Sequence, residues 1–322
     1  MRSFTRPNVV ISKCLGFESC RWNGAVIPDD FVDSLKPHVN YQPVCPEVEI
    51  GLGVPRDPIR IVDTGQGPRL IQPSTGRDVS RTMRDFTDTF LGSLSEIDGF
   101  ILKYRSPSCG MKGVKIYAGT EKGAASTPGP GFFGGPVVER FPGAAIEEEG
   151  RLRNFRLREH FLTRLFTMAD FRKVQKAGAM RDLVQFQAAN KFLLMAYNQK
   201  ELRILGRLVA NPEKRPPADI FEQYAEHLAS ALSRPPRYVS NINVLMHALG
   251  YFSGELSARE KGFFLDALER YRNEKVPLSV PLNLARAWVI RFGQEYLEQQ
   301  TFFLPYPEAL MEITDSGKGR KL

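Results

Sequence analysis

The chain has few of the residues that usually announce a metal or redox site. Its 322 residues include four cysteines, four histidines and two tryptophans. No two cysteines form a CxxC pair, which excludes a zinc ribbon and a thioredoxin-like redox motif. His38, His160, His227 and His247 stand at no metal-ligand spacing and read as structural. No cysteine follows Cys109, so any thiol chemistry belongs to the first third of the chain. No apolar run approaches the roughly 18 residues of a membrane span, and no membrane partner is expected. The basic start, Met1 to Pro7, is followed only by Val9-Val10-Ile11, too short for a signal peptide. A cytoplasmic protein is therefore expected. There, four cysteines serve metal binding or catalysis more readily than disulfides; inert buried thiols are the alternative. No internal repeat and no protein partner is evident.

What is present divides in two. The length suits about two domains, and 42% hydrophobic with 25% charged residues gives enough apolar material for two cores. Residues 1–150 carry 17 Lys and Arg against 18 Asp and Glu, whereas residues 151–322 carry 27 against 18. The second part is thus strongly basic, the electrostatic footprint expected of a nucleic-acid partner; a solvated basic surface is the alternative.

In the first part, short apolar runs alternate with helical spacing. Strands are expected at 9–12, 59–63, 69–72, 99–103 and about 114–118. Helices are expected over 28–35, with Asp29 and Asp30 in the first turn, and over 78–95, where Val79, Met83, Phe86, Phe90 and Leu94 recur at helical period. That alternation predicts an α/β domain over 1–150 with a mostly parallel sheet and flanking helices. The segment 44–55 reads as a strand broken by Pro and Gly. The Gly/Pro-rich stretch 119–135 reads as a lid or a linker, and 136–149 as a connection ended by Glu147-Glu148-Glu149. From Arg151 the pattern is helix upon helix, interrupted by proline pairs at 216–217 and 235–236. Helices are expected at about 180–210, 217–232, 238–250, 256–273 and 281–299. This predicts an all-α domain over 151–315, with 316–322 a disordered tail. On the first helix, Phe155, Leu162, Phe166 and Ala169 share a face; Arg153 and Arg164 lie opposite and Arg156 on the flank, and these three arginines, off the apolar stripe, are the candidate phosphate contacts.

Three short runs lead to a cysteine: Val9 to Ser12 leads to Cys14, Tyr41 to Val44 leads to Cys45, and the apolar Gly99 to Lys103 leads into Tyr104-Arg-Ser-Pro-Ser-Cys109. Open α/β sheets bind ligands beyond the carboxyl ends of their strands. Cys14, Cys45 and Cys109 are therefore read as joint holders of one metal cluster, with Cys20 packing nearby. Glu47, two residues past Cys45, is the candidate general base. Ser106 is the candidate proton relay, and Ser108 and Trp22 are candidate substrate contacts.

Lys13-Cys-Leu-Gly16, Cys20-Arg-Trp-Asn-Gly24, Val44-Cys-Pro-Glu47 and Arg105-Ser-Pro-Ser-Cys-Gly110 together resemble the thiouracil desulfurase family over about residues 7–145. The second part resembles a helical domain of unknown function. The stretches that match it are Phe192-Leu-Leu-Met195, Leu205-Gly-Arg-Leu-Val-Ala210, Asn243 to Tyr251 and Pro305 to Leu310. Some relatives carry His where this chain has Gln187, Asn190 and Tyr197. The pairing resembles bacterial desulfidases that convert 4-thiouridine in tRNA to uridine. The resemblance implies a [4Fe-4S] cluster on Cys14, Cys45 and Cys109 with one iron open. It also implies non-redox removal of sulfur onto that iron, with tRNA as the partner. Free 2-thiouracil as substrate, or a noncatalytic metal-containing RNA-binding protein, are the other readings.

Overall fold

A computed structural model describes residues 2–312; the expected tail at 316–322 lies outside them. Among the described residues nine strands form two sheets. The first contains β1 (Asn8–Ser12), β2 (Asn40–Val44), β6 (Gly99–Leu102) and β9 (Ala145–Glu148) in the order β2-β1-β6-β9, all parallel. The second contains β3 (Arg60–Val62), β4 (Arg69–Gln72), β5 (Arg77–Asp78), β7 (Val114–Tyr117) and β8 (Ser126–Gly129) in the order β5-β4-β3-β7-β8. There only β3 and β7 run parallel. Val9, Val10 and Ile11 in β1 and Phe100, Ile101 and Leu102 in β6 are all fully buried. This is the unbroken apolar signature of parallel strands covered on both faces.

The helices of this part are α1 (Asp30–Leu35), α2 (Pro46–Glu49), α3 (Ser80–Ser93), α4 (Gly134–Arg140) and α5 (Glu149–Leu152). Asp29 caps α1 by accepting the Val32 N–H at 3.0 Å. In α3, Met83, Thr87 and Leu91 are buried at a spacing of four, which turns one face to the core.

Then come α6 (Phe155–Ala177), α7 (Met180–Ala189), α8 (Lys191–Tyr197), α9 (Gln199–Ala210) and α10 (Pro217–Ala231). They are followed by α11 (Tyr238–Gly250), α12 (Ala258–Arg272), α13 (Ser279–Arg291) and α14 (Glu295–Glu298). The α/β part followed by helices is the architecture the sequence predicts. Asn198 caps α9 through the Lys200 and Glu201 N–H groups, and Ser257 with Glu260 forms a capping box on α12. The described chain divides into two compact units: residues 4–169 with 309–312, and residues 2–3 with 170–308.

Several local expectations change. The segment after Val44 is a helical turn, α2, because Pro46 suits a first helical position. The 119–135 stretch contains β8, which pairs antiparallel with β7. Residues 136–149 supply most of α4 and all of β9, an edge strand of the first sheet. Helix α6 is not two-faced: Arg158, Thr163 and Thr167 are buried along with Leu162, Phe166 and Ala169.

Candidate active site

The first sheet decides where the thiols meet. The chain leaves β1 toward β2 on one side and leaves β6 toward β9 on the other. A crevice opens at such a switch point beyond the carboxyl ends. Ser12 of β1 is level with Val44 of β2, so Cys14 and Cys45 emerge side by side. Cys109 arrives on the turn 103–111 after β6. Four backbone hydrogen bonds press that turn down: Gly131 N–H to Gly110 O (2.8 Å), Phe132 to Pro107 (3.0 Å), and Phe133 and Gly134 to Ser108 (2.8 and 2.9 Å). Position 134 must be glycine, since a side chain there would run into the carbonyls of Cys109 and Gly110.

All four cysteines line one cavity of about 250 Å³ with Ser12, Glu47, Arg56, Lys103 and Ser106. Cys20, Cys45 and Cys109 are buried, and Cys14 is partly exposed. Hydrogen bonding from Cys14, with burial, pushes the Cys20 thiol up to about 11, against a lowering contact with Cys45. Cys45 is pushed further up by its contact with Cys20 and by burial. Burial pushes Cys109 up to about 12, while the Ser12 and Ser106 hydroxyls pull the other way. The Cys20 carbonyl is taken by Arg56 Nη1 at 3.0 Å and by the Cys45 thiol at 3.8 Å, so Cys20 is woven into the wall.

Glu47 is held from two directions. Arg56 gives Nε–H and Nη2–H to its Oε2 at 2.8 and 2.6 Å, and Ser108 gives its hydroxyl to Oε1 at 2.9 Å. Both carboxylate oxygens thus act as acceptors. The hydroxyl on Glu47 is that of Ser108, the sequence candidate for substrate contact. Ser106, the candidate relay, accepts the Ser108 and Cys109 N–H groups at 3.2 and 3.1 Å and lines the cavity. Ser106 therefore shapes the turn that carries Cys109, and it is Ser108 that serves Glu47.

Trp22, 46% exposed, lines the cavity beside Arg21, Tyr104 and Arg105. The Arg105 guanidinium lies 4.8 Å from the Tyr104 ring centroid, and its backbone has φ 57°, an uncommon conformation for a side-chain-bearing residue. Arg153, Arg156 and Arg164 do not line this cavity; Arg164 gives Nη2–H to the Pro142 carbonyl at 2.5 Å. Arg56, Ser12 and Lys103 escaped sequence reasoning. Arg56 follows an ordinary Gly/Pro stretch, and nothing in the chain marks it as Glu47's partner.

Among the described residues no three His, Cys, Asp or Glu side chains are set to hold a single metal ion. Three thiols from three strand ends around one shared cavity are a donor set of another kind. Cysteine thiolates are the usual ligands of iron–sulfur clusters, and the residues present fit such a group.

The family described as 2-thiouracil desulfurase matches residues 9–149, and that described as a protein of unknown function (DUF1722) matches residues 191–307. Uncharacterized protein YbgA of Escherichia coli (strain K12) is 26% identical over 151 residues, covering 46% of this chain and 89% of that protein. Uncharacterized protein YbbK of Bacillus subtilis (strain 168) is 32% identical over 126 residues, covering 37% of this chain and 82% of that protein. The solved structure of a [4Fe-4S]-dependent thiouracil desulfidase, TudS, aligns with 27% identity and a TM-score of 0.35, over 46% of this chain and 93% of its own.

Proposed function

We infer the function from the premise that this chain belongs to the 2-thiouracil desulfurase family, with a DUF1722 region behind the family domain. The reaction proposed is non-redox removal of sulfur from a thiolated pyrimidine, with 4-thiouridine in tRNA converted to uridine. The observation that carries it is the shared cavity of Cys14, Cys45 and Cys109 beside a doubly held Glu47.

Cys14, Cys45 and Cys109 would hold a [4Fe-4S] cluster. When bound, it supplies a Lewis acid and soft sulfur acceptor at an iron without a protein ligand. In balance, the ring C=S and water give C=O and hydrogen sulfide, and no net electron is needed. Glu47 takes a proton from the attacking water, a role typically contributing about 10²–10⁴-fold. Arg56 fixes the carboxylate on one side, and Ser108 orients it on the other. The Ser12 and Ser106 hydroxyls draw the Cys109 thiol down against the effect of burial. Trp22, at the mouth, offers a stacking face to a base.

The tRNA reading rests on the excess of 27 basic over 18 acidic residues after position 150. Arg153, Arg156 and Arg164 are proposed phosphate contacts, and Arg164 also gives a hydrogen bond to the Pro142 carbonyl. Four unpaired cysteines suit a reducing compartment, and the cytoplasm is the proposed location. No helix among the described residues is long and apolar enough to cross a membrane.

The test is anaerobic iron–sulfur reconstitution, incubation with a tRNA pool, and nucleoside analysis, with free 2-thiouracil in parallel. Loss of 4-thiouridine with matching uridine supports the proposal. Turnover of the free base alone replaces the substrate. Turnover of neither by an iron-loaded protein rejects desulfuration.

A further inference from the structure

Three consecutive carboxylates, Glu147, Glu148 and Glu149, are 9%, 1% and 6% exposed. A chain does not bury adjacent acids without donors to meet them, and here each is met. Glu147 Oε1 accepts Arg151 Nε–H at 2.7 Å. Glu148 Oε1 accepts the Met111 N–H at 2.8 Å. Glu149 Oε1 accepts the Lys103 ammonium, and its Oε2 accepts the Tyr104 N–H at 2.6 Å. Lys103 and Tyr104 open the turn that carries Ser106, Ser108 and Cys109, and Met111 closes it. Two neighbouring side chains, the last of β9 and the first of α5, therefore grip that turn at both ends.

We propose that Glu148 and Glu149 are positioning residues of the active site, pinning the turn 103–111 so that Ser108 and Cys109 stand opposite Glu47 and Cys45. The claim deepens the desulfurase reading, and only its kinetic consequence rests on that reading.

The chemistry explains why carboxylates are needed. Glu149 uses one oxygen for an ammonium and the other for an amide, so both of its atoms must accept. Glutamine offers one acceptor and one donor, and the donor would face a cation or an N–H. Gly150 belongs to the same device. A Cβ built there would lie 3.0–3.3 Å from the Tyr104 side chain, so Tyr104 seats directly on the backbone that follows Glu149. The opposite side of the turn has its own fastening in the hydrogen bonds from residues 131–134. Releasing the acidic grip thus loosens the ends of the turn without detaching its middle.

The test uses the full-length, metal-free protein under reducing, anaerobic conditions. Carbamidomethylation by iodoacetamide is followed by mass spectrometry at Cys109 and, as a buried reference, at Cys20. Glu149→Gln and Glu148→Ala, the latter because a glutamine carbonyl could still accept the single Met111 N–H, are expected to raise the Cys109-to-Cys20 rate ratio at least tenfold. Gly150→Ala, which alters no charge, should raise it about threefold. Amide exchange across 103–111 should quicken while β1 keeps its protection. In the iron-loaded enzyme the same variants should lower kcat at least tenfold and leave KM within twofold.

An unchanged ratio in both Glu149→Gln and Gly150→Ala overturns the proposal. So does a parallel rise at every thiol with lost β1 protection, which signals general unfolding. If the wild-type protein desulfurates nothing, the kinetic arm falls with the functional reading, and the thiol and exchange measurements still decide the positioning role.

Discussion

Replacing Arg56 with Gln attacks the site through the side chain that the sequence conceals. The Arg56 side chain is 4% exposed and that of Glu47 14%. The guanidinium makes two hydrogen bonds to Glu47 Oε2 and one each to the carbonyls of Cys20 and Gly53, at 3.0 and 2.9 Å. Removing one member of a fully buried pair costs about 3–5 kcal/mol. Here the cavity lets water reach Glu47, and the amide of Gln satisfies one carbonyl, so a loss of about 2–4 kcal/mol is expected. At about 2–4 °C per kcal/mol for a domain of this size, Tm falls by roughly 4–16 °C. The assay is thermal melting of the metal-free protein, paired with turnover of the iron-loaded enzyme at a temperature where the variant is folded. Turnover should drop toward the level of a Glu47 variant, because the carboxylate no longer has a fixed orientation. Arg56→Lys restores charge without the planar fork and should recover stability better than rate. An Arg56→Gln protein that melts with the wild type and turns over at its rate would refute this account of how Glu47 is held.

Three further outcomes follow from the same geometry. Cys14→Ala, Cys45→Ala and Cys109→Ala should each lose bound iron and the associated visible absorbance, whereas Cys20→Ser should retain both; iron analysis decides, and a Cys20→Ser protein without iron would make Cys20 a ligand. Glu47→Gln should load iron normally and lose turnover by about 10²–10⁴-fold, with Ser108→Ala showing a smaller loss; steady-state rates at equal iron content check both. Burial and the neighbouring Arg164 lower His160 to about 4 from an ordinary value of 6.5. The unfolded chain therefore binds the proton more readily, and this contribution is complete above pH 6.5 and lost as pH falls toward 4. It amounts to roughly 3 kcal/mol at most. Melting of His160→Gln across pH 4–7 should show a flatter acid limb than the wild type.

The strand ends before Cys14 and Cys109 were legible because covering both faces of a parallel strand leaves an uninterrupted apolar run, as in β1 and β6, and its break marks the rim. The edge strand β2 is mostly exposed, so only its break at Val44-Cys45-Pro46 gave it away. The helical part was legible from its period and proline breaks. The contacts that make a site out of those residues were not. Arg56 meets a carboxylate nine positions back, and Glu149 meets a lysine 46 positions back. Neither separation has a local signature. The polar positions of α6 misled for a related reason: Arg158 and Thr167 look like solvent-facing residues until the helix is covered on several sides. Likewise, the Gly/Pro content of 119–135 hides β8, since antiparallel pairing with β7 depends on a partner that composition does not name.

Ser12 ties two strand ends together at the rim of the cavity. Its hydroxyl oxygen accepts the Lys103 N–H at 2.9 Å, and the same hydroxyl draws the Cys109 thiol down against the effect of burial. A peptide N–H can only give, so the hydroxyl proton is left for another acceptor. The acidity of that one thiol is thereby linked to the meeting of two neighbouring strands. Threonine at position 12 would keep the hydroxyl and alanine would remove it, so one side chain acts as a tuning element for whatever the sulfur binds.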